Sequence, residues 1–559
     1  MKSKKHFKQK NNKIYIIIAI ELILFCMWGG FYDFVYALYG VVFSIILLVY
    51  FRKKTEISVN ITTVGMILMT LGYLGTLITA EDKGMAVVGV VRISGLFVFW
   101  VLWCSLDSNY KETVWKCIPD TAVLMNLAAL VMYFIPGMRD YYYRADRLGG
   151  FFQYSNTYAL FLLVSVIVLM FDEQRKKSDD VKLVILISGI VFCGSRSVMV
   201  LSVIVIAGIM IGRKVFDLKH VMVIIGVIVL ICLGMQFVLG LDISRLLKLS
   251  MNSSTLNGRF LYWQDAFSVF LKNPLGIGYM GYYYLQPQFQ TGNYVTMFVH
   301  NDILQFGLDA GWLAAGALIA VIIGQIMNKH NGQRNRIILV VLALHSLFDF
   351  DLQFASMGCL MLMAMDTHVS VGTGRKWKNV PGALIFGVTA VISGYFALAL
   401  GMSYFGENRM SLVLYPGYTT ARTMIMTEDE SGEQAERVIR DNGMLADAYK
   451  YAAVGHLNRG EYLEAYDDLK EMPGRNGYDA EKYDEYVYVL SKVLDQAVRS
   501  GDMQAAEAVL NDIREVPEIL TEKEAAASDL AYKINDAPTL ELSSQIQSYI
   551  ERLQGISLY

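Results

Sequence analysis

Residues 220–240 read HVMVIIGVIVLICLGMQFVLG, a run without Asp, Glu, Lys or Arg. A helix rises about 1.5 Å per residue, so this run can cross a hydrocarbon core of roughly 30 Å. Each backbone amide left unpaired in hydrocarbon costs several kcal/mol, which makes a helix the form such a run takes. Comparable runs occur at 61–79, 151–171 and 381–405, and 55% of the 559 residues are hydrophobic. A string of soluble domains is excluded for most of the chain by that composition. The pattern predicts about thirteen spans: 14–28, 33–51, 61–80, 86–106, 115–135, 151–171, 181–194, 197–212, 220–240, 304–326, 336–350, 354–369 and 381–405. The expected fold class is all-α, a polytopic membrane protein of about 12–13 transmembrane helices. The hairpins near 194–197 and 350–354 are the tightest.

The chain divides into N-terminal transmembrane helices (1–240), a long loop (241–303), C-terminal transmembrane helices (304–406) and a tail (407–559). Six lysines (Lys2, Lys4, Lys5, Lys8, Lys10, Lys13) precede the first span with no small-residue cleavage site after it, the pattern of an uncleaved anchor. Alternating the spans from an inside N-terminus collects about 24 basic residues on one side against about 9 on the other, the bias of cytoplasmic loops. This places 136–150, 194–197, 241–299, 350–354 and the tail on the side opposite the basic loops. The six cysteines lie in or beside apolar runs without paired spacing, so neither a disulfide framework nor a metal site is expected.

The tail holds about 29 Asp and Glu against about 15 Lys and Arg. Helix-period patterns around Ala446–Tyr466 and Leu494–Leu510, broken at Gly460 and Gly501, resemble degenerate tetratricopeptide-type helix pairs. The plainer reading is a small acidic α-helical domain with solvated faces. A repeat array would add a face for a protein partner.

Charged side chains within bilayer spans cost at least ~2.5–3.5 kcal/mol, so each is a candidate for function. Arg196 lies in the turn Gly194-Ser195-Arg196-Ser197, where it either snorkels to the membrane edge or faces a ligand. Arg92 falls mid-span and faces a polar cavity, an acid or a substrate. Arg259 opens an amphipathic stretch rich in aromatics, suited to the interface. Its guanidinium suits either lipid headgroups or a pyrophosphate. His300, followed by Asn301 and Asp302, is either a structural helix start or a proton acceptor working near neutral pH. His345 and Asp349, four apart, read as a supporting pair on one helix face. Gly276-x-Gly278-x-x-Gly281 imitates a dinucleotide fingerprint, but follows Pro274 with no strand before it. P-loop, HExxH and CxxC motifs are absent from the sequence, and no GxSxG with partners occurs.

In order, five pieces resemble the superfamily of O-antigen ligases and polymerases, polytopic glycosyltransferases using undecaprenyl-pyrophosphate-linked glycans. They are Gly149-Gly150-Phe151 through Asn156, Gly194-Ser195-Arg196-Ser197, Gly258-Arg259 through Asn273-Pro274-Leu275-Gly276-Ile277-Gly278, His300-Asn301-Asp302 through Asp309-Ala310-Gly311, and His345-Ser346 through Asp349-Phe350-Asp351. Ser155 stands where many relatives have Pro, and Asp309 where they have Glu. The resemblance implies an inverting, metal-independent transfer needing no cofactor, with 241–303 as the catalytic loop. Arg196 and Arg259 would hold the pyrophosphate and His300 would deprotonate the acceptor hydroxyl. Arg147, Asn156, Asn301, Asp302 and Arg92 would contact substrate, with His345 and Asp349 behind them. The partners would be the lipid-linked donor and a glycan, lipid or wall-polymer acceptor, with no nucleic acid. Two other classes compete. A lipid-glycan flippase or solute transporter would carry inverted repeats and polar mid-helix breaks. A membrane anchor presenting the tail would leave Arg259 and His300 without a role.

Overall fold

The computed structural model describes residues 15, 17–51, 57–145, 147–213, 218–239, 254–368, 376–377, 382–534 and 539–556. The basic segments 1–13, Arg52-Lys53-Lys54, Lys214 and Arg375 with Lys378 lie outside the described residues, as does the start of the long loop at 240–253.

The chain is an all-α membrane protein. Among the described residues, six helices are long and apolar enough to cross a membrane: Ile61–Thr79, Lys83–Ser105, Ser108–Tyr133, Arg196–Arg213, Asp302–Met327 and Gly382–Tyr404. Shorter apolar helices run over Ile17–Cys26, Asp33–Val49 and Ser155–Phe171. Further helices Ser178–Cys193, Leu218–Leu239, Gln333–Ser346 and Ala355–Met363 occupy the other expected span positions. Among the described residues the strands are two-residue ribbons only, pairing Ile57–Ser58 with Lys376–Trp377 and Tyr143–Arg144 with Arg147–Leu148.

The structure revises the expected hairpin at 336–369. Gln333–Ser346 and Ala355–Met363 are about 21 Å and about 14 Å long, too short to cross alone. The turn between them, which includes Asp349, Asp351, Leu352, Gln353 and Phe354, is buried within the protein. Side-chain and cap hydrogen bonds, described below, replace the helix ladder there, the condition for irregular backbone at such depth.

Ser155–Phe171 is the central helix, buried on all sides, whereas Arg196–Arg213 and Gly382–Tyr404 turn most of their apolar surface outward. Apolar side chains facing lipid and polar ones facing protein are what the bilayer favours. Small residues bring helices together: a Cβ at Gly72 would lie 2.5 Å from Ala310 O, and one at Gly65 would lie 2.2 Å from Val321. The Asn273-to-Gly278 segment uses the same device. Gly276 (φ +83°) and Gly311 (φ +84°) meet backbone to backbone, where Trp312 N donates to Pro274 O at 2.9 Å and Ile277 N to Leu308 O at 2.7 Å. Gly276 therefore serves close packing against a break in the Asp302–Met327 helix, and Gly278 close packing against Ala80.

The tail is a second helical body. Ala446–Arg459 packs on Tyr462–Lys470 and Ala480–Arg499 on Met503–Ala525, with Gly460 and Gly501 in left-handed turns. Tyr483, Val487, Leu490, Val509 and Ile513 form its core. The tail also docks on the membrane body. Asp82 caps Met85 N and accepts from Thr419 Oγ1 and Asn442 Nδ2. Ser528 N donates to Thr291 O, and Asn257 Nδ2 to Lys533 O. The tail and the described part of the long loop thus share one side of the helix bundle.

Candidate functional site

Gln333–Ser346 stops before Asp349, so the four-residue spacing from His345 no longer places the two on one face. Asp349 turns instead toward the long loop. Its wholly buried carboxylate accepts from Tyr154 Oη (2.8 Å), Phe350 N (3.0 Å), Asn156 Nδ2 (2.7 Å) and Arg259 Nη2 (3.0 Å), and lies 3.1 Å from His300 Nδ1. A charge taken out of water needs this many partners to offset its desolvation. The expected His345–Asp349 pair is thereby corrected: His345 Nδ1 contacts Asp351 Oδ2 at 2.5 Å, and its Nε2 lies 3.0 Å from Ser197 Oγ.

Arg259 reaches Asp349 because its helix, Ser254–Lys272, lies with Leu261, Asp265, Ala266 and Val269 inward and Phe260, Phe267 and Leu271 outward. Asp265 anchors the return of the loop by accepting from Thr291 N, Thr291 Oγ1 and Tyr294 Oη. Burial pushes its carboxyl above the usual range, while the hydrogen bonds from Thr291 and Tyr294 oppose that rise.

His300 has φ +56°, a left-handed conformation that a non-glycine residue adopts only when its surroundings hold it. Trp263 Nε1 donates to His300 O, Asn301 Oδ1 caps Leu304 N, and the imidazole sits edge-on to Phe350 at 4.8 Å. Its side chain stays 19% exposed. Arg147 is tied into the same assembly through Asn156 Oδ1 (2.6 Å) and Cys193 O (2.8 Å). The left-handed Gly194 (φ +61°) turns the hairpin that carries Arg196.

Arg147, Asn156, Arg196, Arg259, Ser197 and His345 line one cavity of about 690 Å³. An apolar groove of about 830 Å³ adjoins it, sharing Phe260 and Trp263 and continuing past Asn301 to Trp312 and Ile319.

The expected residues therefore converge, His300 through its contact with Asp349 rather than on the cavity lining, with two exceptions. Asp302 is buried beneath the site, where its Oδ2 accepts from Leu352 N at 2.9 Å. Arg92 is spent elsewhere: its guanidinium bonds Asp33 (2.7 Å), Phe31 O and both oxygens of Gln353, over the Tyr36 ring. It braces the turn from behind and is not among the residues lining the cavity. Sequence reasoning assigned no role to Tyr154, Ser197 or Asp351, although all three stand inside motifs that drew attention. It also missed Asp33, whose position at the start of an apolar run was the available signal.

Residues 181–322 match the family model described as O-antigen ligase. This stretch is similar to the O-antigen ligase family. The matched stretch includes Arg196, Arg259 and His300 and stops before the Asp349 turn. The family implies, broadly, a glycosyltransferase-like ligase activity with a lipid-linked glycan donor and a glycan acceptor. No curated protein and no solved structure matches the chain.

Proposed function

We infer that this O-antigen ligase-type protein transfers glycan from undecaprenyl pyrophosphate to an acceptor hydroxyl on the extracytoplasmic face of a bacterial plasma membrane. The observation that carries this reading is the convergence of Arg147, Arg196 and Arg259 on one cavity, with His300 held by the same carboxylate as Arg259. Guanidinium forks match phosphate oxygens, and cations fixed before reaction stabilise charge collecting on a leaving diphosphate. An ionised Asp349 takes the Nδ1–H of His300, which leaves Nε2 to receive the acceptor proton. Attack from the face opposite the diphosphate inverts the anomeric centre and calls on no metal in this scheme. The adjoining apolar groove suits the hydrocarbon of the carrier lipid. The docked tail, on the side of the loop, would then face outward with its acidic helix pairs available to a wall-assembly partner.

The test is the surface-glycan profile of a deletion strain complemented with wild type or His300→Ala. The reading expects the variant to accumulate carrier-linked glycan like the deletion. Full complementation by the variant would overturn it.

A further inference from the structure

A second row of polar groups reaches the cavity wall and has no task in the scheme above. Asp351 Oδ2 lies 2.5 Å from His345 Nδ1, and His345 Nε2 lies 3.0 Å from Ser197 Oγ. Asp351 and His345 have no exposed side-chain surface, and Thr157 Oγ1 donates to the other Asp351 oxygen at 2.7 Å. Ser197 and His345 line the cavity alongside Arg147, Arg196 and Arg259. Carboxylate, imidazole and hydroxyl in this order can pass a proton along their hydrogen bonds. Ser197 follows Arg196 directly in the chain, so the row ends among the guanidiniums where a diphosphate would gather charge. His300 is held separately, on Asp349.

We propose that Asp351, His345 and Ser197 form a relay delivering a proton to the departing diphosphate. It rests on the glycosyl-transfer reading and adds a leaving-group role to that same site. As the bond between the anomeric carbon and phosphate oxygen breaks, its electron pair stays on the phosphate. Ser197 gives its hydroxyl proton to a phosphate oxygen, and the Nε2–H of protonated His345 replaces it. Neutral His345 keeps its Nδ1–H on Asp351. The acceptor hydroxyl loses its proton to His300 as its oxygen bonds the anomeric carbon, so one proton enters the site and one leaves. When the carrier departs, His300 gives its proton to water and water in the open cavity returns one to His345 through Ser197, which restores both groups. The charged groups acting on His345 are Asp351 and Asp349 from the turn and Arg259 from the loop helix, with Arg147 and Arg196 lining the same cavity. In this scheme Ser197 touches the reacting phosphate, while His345 and Asp351 act through it.

The test uses purified full-length protein in nanodiscs. Donors are the native lipid diphosphate and two analogues in which CH2 or CF2 replaces the bridging oxygen, CF2 giving the more acidic leaving group. Relative to wild type, Ser197→Ala is expected to lose about tenfold more rate with the CH2 donor than with the CF2 donor, because a poorer leaving group depends more on its acid. Ser197→Thr, which keeps the hydroxyl, is expected to retain the wild-type ratio. Because both rates come from one preparation, their ratio does not depend on how much protein is folded. An unchanged ratio in Ser197→Ala, with normal wild-type transfer, would overturn the relay alone. Failure of the wild type to transfer from the native donor would remove the glycosyl-transfer reading and the relay with it.

Discussion

Two imidazole–carboxylate pairs meet the same buried turn, and they are built differently. His300 keeps an exposed edge and shares Asp349 with an arginine, an asparagine, a tyrosine and a backbone amide. His345 is sealed, and beyond its own Asp351 it reaches only the Ser197 hydroxyl. The open pair can meet an incoming hydroxyl, while the closed pair acts on the cavity only through what it touches. Two such pairs within one turn follow from helix length: Gln333–Ser346 ends early enough that Asp349 and Asp351 point to opposite partners.

The largest effect should come from Asp349→Ala, which strips the open pair and leaves Arg259 on the cavity wall without its anion. Breaking a buried pair from one side costs about 3–5 kcal/mol. Transfer should be lost together with a clear fall in unfolding temperature in nanodiscs. A variant with unchanged stability would separate Asp349 from the network. Next comes Arg92→Ala, which removes the brace behind the turn and leaves the half-buried Asp33 without its cation but with Tyr279 and Tyr418 as donors, at up to about 3–5 kcal/mol. Its expected signature is lower stability with donor affinity per folded molecule retained, measured by ligand-dependent thermal shift. Selective loss of donor binding would restore Arg92 to the substrate-contacting residues.

Smaller effects belong to the tail, whose charges are dispersed rather than convergent. Burial, with Glu436 and Asp467 nearby, pushes Asp468 up to about 6, while His456 and Arg459 oppose the rise. A carboxyl raised in the folded state gives stability that is present below its unfolded value near 4 and lost as pH rises through about 6. Asp468→Asn should therefore flatten the tail's pH dependence between those values, read by pH-resolved hydrogen exchange. Steeper dependence in the variant would reverse the sign. Least of all, Glu485→Gln removes the half-exposed partner of Lys450 and should change tail stability by less than about 1 kcal/mol in the same measurement.

Much of the site could be read from the chain because arginine and histidine at apolar span ends are costly enough to stand out. Arg196 and His300 stand out that way, Arg259 stands out through its amphipathic aromatic stretch, and Arg147 and Asn156 follow from the family resemblance. The spans could be read as well, since helices need long apolar runs in lipid. What could not be read depended on partners distant in sequence or on where a helix stops. Arg92 meets Asp33 from another helix, so its own surroundings in sequence gave no sign of the pairing. The Asp349 partners follow from an early helix end that the apolar pattern, which continues to residue 350, does not mark. The Asn-Pro-Leu-Gly-Ile-Gly segment drew attention as a motif, yet its glycines are there for contact with Gly311 and Ala80.

The central claim is that Asp349 and His300 work as one unit on the acceptor proton. A double-mutant cycle of His300→Ala and Asp349→Asn, assayed for glycan transfer in nanodiscs with saturating lipid-diphosphate donor, tests it most directly. The account predicts a loss of about 10²–10⁴-fold for His300→Ala and no further loss in the double variant. Losses that multiply, or a His300→Ala enzyme transferring at the wild-type rate, would contradict it.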